Sequence, residues 1–175
     1  MFSISDQLIG YHEVGHAIAF HCLGIEFIFV QANTVLDDCS VTRSSEGAVS
    51  LNQNPRKKAI IALSGPAAEM AMASKFDPRF DFDEYFSEHE CKGWRRDICM
   101  ATESAPNQAQ NFRAIARDLR DVSADSVAVV GEELVPLLLS RGGMVPAAEV
   151  YAVFERHEDL LTHTKTEIFR LLDSI

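Results

Sequence analysis

Two histidines four positions apart, with a glutamate directly after the first, constrain this chain more than any other feature: His12-Glu13-Val14-Gly15-His16. At 3.6 residues per turn, positions i and i+4 lie nearly one above the other, so both imidazoles leave the same helix face. The surrounding apolar residues Leu8, Ile9, Ala17, Ile18, Phe20 and Leu23 keep helical spacing, and Gly24 supplies a C′ stop. Asp6 to Leu23 therefore reads as a helix that can offer two ring nitrogens to one zinc ion. Glu13, one position further round, is placed to take a proton from water polarised by that ion. His21 falls about half a turn from the His12 face and reads as a surface or core histidine.

A catalytic zinc needs a third protein ligand and one open position. Glu69, His89, Cys91 and Asp97 all carry suitable atoms, and the residue types alone do not choose among them. His89 and Cys91 fall in a segment that reads as irregular, whereas Glu69 and Asp97 fall on expected helices.

Chemistry of this kind needs a core to hold it. A chain of 175 residues buries roughly 70% of its unfolded surface in one domain. Its 47% hydrophobic and 24% charged residues exclude a disordered or fibrous chain. Acids outnumber bases 26 to 16, and the net charge of −10 opposes any nucleic-acid partner. No apolar run approaches the about 18 residues of a membrane span. The longest, Val127 to Leu139, is interrupted by Gly131, Glu132, Glu133 and Pro136. The start of the chain lacks the basic stretch and cleavage site of a secretory signal, so the expected location is cytoplasmic and no membrane is involved. Cys22, Cys39, Cys91 and Cys99 form no C-x-x-C pair and read as buried thiols rather than a redox site.

Along the chain, Ile25 to Val30 reads as a strand, Asn33 to Ser45 as polar and turn-rich, and Ala48 to Leu51 as a second strand. Asn54-Pro55 opens a helix running to Met72, with Gly65-Pro66 inside it predicting a kink or a restart capped by Ser64. The acidic, aromatic stretch Phe76 to Glu90 reads as a solvated loop with its rings tucked inward, in preference to a contact surface. Arg95 to Ala105, Asn107 to Val122, Asp125 to Leu139, Val145 to Phe154 and His163 to Leu172 read as helices. The expected fold is mainly α with a small antiparallel β ribbon. It forms one domain over 1–175: a site helix (1–24), the ribbon (25–52) and a helical body (55–175).

Three segments resemble the peptidase domain of the FtsH-type, AAA-linked zinc proteases. Tyr11-His12-Glu13-Val14-Gly15-His16-Ala17 is similar to that family's Y-H-E-A-G-H-A. Leu63-Ser64-Gly65-Pro66-Ala67-Ala68-Glu69 is similar to L-G-G-R-A-A-E, and Asp97-Ile98-Cys99-Met100-Ala101-Thr102 to N-D-L-x-x-A-T. The resemblance spans Ile9 to Phe154. It implies Asp97 as third zinc ligand, Glu69 as a group behind the ligands, and a helical array with H-E-x-x-H on its first helix. It also implies an edge strand that receives the substrate peptide, matched here by Glu46 to Leu51 with Gly47, Ala48, Val49 and Ser50. Pro66 replaces the family's arginine, Arg96 its usual asparagine, and Phe76 to Glu90 is longer than its counterpart.

Eleven residues precede His12 and the chain has no G-x-x-x-x-G-K-[ST] loop, so the expectation is a peptidase domain standing without its ATPase module. The expected activity is ATP-independent, zinc-dependent hydrolysis of peptides or unfolded proteins, with one Zn2+ per chain and Glu13 as general base. A homo-oligomer, or a separate ATPase or adaptor partner, is left open. The alternative is a catalytically silent zinc domain that acts by binding a partner protein, against which the retained Glu13 weighs.

Overall fold

The structure, a computed structural model, describes residues 2–33, 38–90, 93–141 and 143–175, with side chains for all of these except 33 and 38–40. It is mostly helical with one small antiparallel sheet. Helix α1 (Ile4–Cys22) begins in a capping box: Ser3 Oγ accepts from the Asp6 backbone N–H, and the Asp6 carboxylate accepts from that of Ser3. It ends before Gly24, whose φ of 67° is the left-handed turn expected of a C′ glycine. From Gly10 to Cys22 almost every residue of α1 is buried, because α3 (Pro55–Phe76), α6 (Phe112–Ser140) and α8 (Glu158–Ser174) pack around it.

The sheet has the order β2-β1-β3, with β1 (Phe27–Asn33) central and β2 (Asp38–Arg43) and β3 (Met144–Pro146) as edges. Val30 faces Val41 on one side and Val145 on the other. Three expectations fail here. The second strand lies at Asp38–Arg43, inside the stretch expected to be turns, of which 34–37 fall outside the described residues. Ala48 to Leu51 is no strand but part of helix α2 (Ser45–Asn52), because Ser44 caps it by accepting from the Gly47 N–H at 3.0 Å. The third strand occupies a segment whose helix, α7 (Ala147–Arg156), starts just after Pro146.

Helix α3 runs unbroken through Pro66, and Ser64 does not cap a restart; its hydroxyl donates to the Ile60 carbonyl at 2.8 Å. Asn107 to Leu139 is not two helices. A 3-10 turn at Pro106–Asn111 leads into the single helix α6, on which Ser123 donates to the Leu119 carbonyl instead of breaking the helix. Phe76 to Glu90 is not a loop throughout but contains helix α4 (Phe82–His89), and only some of its rings turn inward: Phe82 and Phe86 join Met70, Trp94 and Ala116 in a second small core, while Phe76 is 39% exposed. Arg117 and Arg120 close that core from outside, 4.5 and 5.0 Å from the Phe82 ring. Helix α5 (Arg95–Ser104) completes the frame against α3.

Candidate metal centre

Helices α1, α3 and α5 meet at the first motif. His12 and His16 project from one face of α1 with ring centroids 4.8 Å apart, and their Nε2 atoms approach to 3.1 Å. Asp97, in the first turn of α5, places Oδ2 3.1 Å from His12 Nε2 and Oδ1 3.5 Å from His16 Nε2. Tetrahedral zinc with bonds of about 2.0–2.1 Å separates its ligand atoms by about 3.3 Å, close to the His12–His16 spacing and to the two His–Asp97 spacings, each of which is made by a different oxygen of the carboxylate. Both rings turn the right atom inward. His16 Nδ1 donates to the Ile61 carbonyl at 2.7 Å, and His12 Nδ1 donates to Glu69 at 3.0 Å, which leaves each Nε2 a lone pair.

Three lone-pair donors this close, in a nearly buried site, call for a cation between them. A proton on His12 Nε2 is the other way to meet that demand. Burial disfavours a charged His12, yet its hydrogen bonds to Asp97 and Glu69 raise its pKa well above the ordinary value. Burial would raise Asp97, but the His16 and His12 rings hold its carboxyl far below the usual range. Gly65 on α3 leaves the room: a Cβ there would stand 2.4 Å from His16 Nε2 and 2.5 Å from His12 Nε2. The donor set and this cradle fit a zinc ion.

Glu13 is 1% exposed, and its Oε2 has no hydrogen-bond partner among the described residues. Burial pushes its pKa up, offset in part by the His16 and His12 rings. A buried carboxylate oxygen with an unmet acceptor beside this triangle is suited to receive a proton.

Glu69 stands behind the ligands. Besides His12 it accepts from Trp94 Nε1 at 2.8 Å and from the Tyr85 hydroxyl at 2.9 Å. Burial would raise its pKa, but these three donors lower it, so an ionised carboxylate orients His12. Trp94 and Tyr85 thus fix the Glu69 carboxylate, a link absent from the sequence reading. The acidic aromatic stretch signalled buried rings, but nothing in it tied them to Glu69.

The remaining candidates separate clearly. His89 donates Nδ1 to the Tyr85 carbonyl at 2.8 Å and stacks on the Tyr85 ring 4.0 Å away, outside the ligand triangle. Cys91 lies outside the described residues. Gly47, Ala48, Val49 and Ser50 form no strand edge, since they are helical, and none lines the cleft. His21 packs against Tyr151 and Phe154, remote from the centre. The centre opens into a cleft of about 970 Å³ with Ile4, Leu8, Val41 and Leu51 among its apolar lining. Val41 brings the edge strand β2 to that cleft. Among the described residues, no helix is long and apolar enough to cross a membrane. No protein-family model, curated protein or solved structure matches the chain.

Proposed function

We propose that this chain is a zinc-dependent peptidase of FtsH-type architecture that hydrolyses peptide bonds without ATP. The observation that carries the reading is the convergence of His12 Nε2, His16 Nε2 and Asp97 at 3.1–3.5 Å beside a buried, unpartnered Glu13 oxygen. The three segments that resemble the family lie on α1, α3 and α5 and meet at one centre, which supports the same architecture.

His12, His16 and Asp97 would hold the zinc, which when bound polarises a peptide carbonyl and lowers the pKa of water. Glu13 takes the proton of the attacking water on Oε2 and delivers it to the leaving amine. Glu69, fixed by Trp94 and Tyr85, keeps the His12 ring in the ligating tautomer. An extended substrate would add to the free edge of β2, in the role the sequence reading gave to residues 46–51.

Elemental analysis after dialysis is expected to give about one zinc per chain in wild type and a large loss in Asp97→Ala. Glu13→Gln should keep the zinc while casein cleavage falls by about 10²–10⁴. Glu13→Gln cleaving at the wild-type rate would remove the mechanism. Zinc-loaded wild type that cleaves no disordered protein would move the partner-binding reading to the front.

A further inference from the structure

Resting on the reading of the cleft as a peptide site, we infer that it selects extended peptides with carboxylate side chains beside the scissile bond, held by Arg95, Arg96 and Arg43. The chain carries a net charge of −10, so a cluster of positive charge at the cleft over the candidate metal centre runs against the composition. Arg95 and Arg96 enter from the first turn of α5 and Arg43 from the end of β2; all three are exposed and line the cleft. Among the described residues none of the three forms an ion pair. The arginines that do pair lie elsewhere, as Arg113 and Arg117 do with Asp83 and Arg141 with Glu149.

Nor does the cleft neutralise them from within. Its lining carboxylates are Glu13, Glu69 and Asp97. Glu69 is engaged by three donors and Asp97 by two imidazoles, and Glu13, 1% exposed in the cleft wall, feels the Arg96 charge but forms no ion pair with it. Guanidinium groups pair with carboxylates through two parallel hydrogen bonds, and a concave low-dielectric wall concentrates their field. Apolar Ile4, Leu8, Val41 and Leu51 take the remaining side chains of the same segment.

The neighbouring groove sharpens the choice. It shares Ile4, Leu8 and Tyr85 with the cleft, but Asp77, Asp81, Glu84 and Glu88 line it against the single cation Arg79. An acidic segment is repelled there, which confines its carboxylates to the arginine wall.

The test uses zinc-loaded Glu13→Gln protein, which holds peptides without cutting them, and fluorescence anisotropy. Three short N-acetylated, C-amidated peptides are identical and apolar except at two positions, filled by Glu, Gln or Lys. The Glu peptide is expected to bind roughly ten-fold tighter than the Gln peptide, and the ratio to shrink at high salt. Arg95→Gln/Arg96→Gln should reduce that ratio several-fold. Arg95→Glu/Arg96→Glu should turn the preference toward the Lys peptide, a gain that misfolding cannot produce. Equal binding of Glu and Gln peptides, or a Glu preference surviving the double charge reversal, overturns the inference. So does a Gln peptide with a free C-terminus binding as tightly as the amidated Glu peptide, since the arginines would then read a terminal carboxylate. If the Glu preference holds while wild type cleaves nothing, the peptidase reading fails and the selectivity stands.

Discussion

Gly65 is where a single methyl group decides the most. Its missing Cβ leaves open the space 2.4–2.5 Å from both ligand nitrogens, on a helix that would otherwise gain from alanine. Gly65→Ala should therefore keep its helical circular dichroism, since alanine favours a helix interior by about 1 kcal/mol. Its zinc content should nonetheless fall to near zero by elemental analysis; full zinc in that variant would place the metal elsewhere. Trp94 acts at one remove. Trp94→Phe keeps most of the buried volume but deletes the donor to Glu69, and zinc affinity measured by chelator competition should weaken about 10–100-fold. An unchanged affinity would reduce Trp94 to packing. Cys22 is the quiet case: burial pushes its thiol up to about 12, so it should resist alkylation at pH 8 while exposed Cys99 reacts.

Helix crossings carry the next scale. A Cβ on Gly15 would stand 2.4 Å from both the Ala68 Cβ and the Ser64 carbonyl oxygen, so α1 and α3 touch backbone to backbone. Gly15→Ala should destabilise by about 1–3 kcal/mol in urea titrations despite its better helix propensity, because the crossing must widen. Stability equal to wild type would mean the helices can slide apart freely. This scale also separates what was legible in the sequence from what was not. The i, i+4 histidines and the apolar spacing around them made α1 readable, because both signals are local. Asp97 needed the family resemblance, since its meeting with α1 is a tertiary event. At Ala48 to Leu51 a short run with one β-branched residue resembles a strand in sequence, and it is the Ser44 cap just upstream that makes it helical. Strand β2 hid among polar residues because it is an edge, apolar mainly at Val41, and β3 is too short to show a period.

For the molecule as a whole, zinc is expected to act as a clamp between three helices. At free zinc about 1,000 times its Kd, binding to the folded state alone adds about 4 kcal/mol. For a chain of this size that corresponds to a rise in Tm of about 8–16 °C. Calorimetry with and without EDTA reads it directly, and an unchanged Tm would mean the site takes no metal. The sheet and the C-terminal helices set a different kind of constraint. β1 pairs with β3, Gln31 facing Met144, and α1 is covered by α6 and α8, with the Cys22 thiol against the Leu161 carbonyl. On the ribosome, the helix bearing both imidazoles leaves the exit tunnel before every element that covers it. Its cover is therefore completed in stages, by α3, then α6, and only with α8 in full, so the segment that carries the candidate metal centre is the one longest exposed during synthesis.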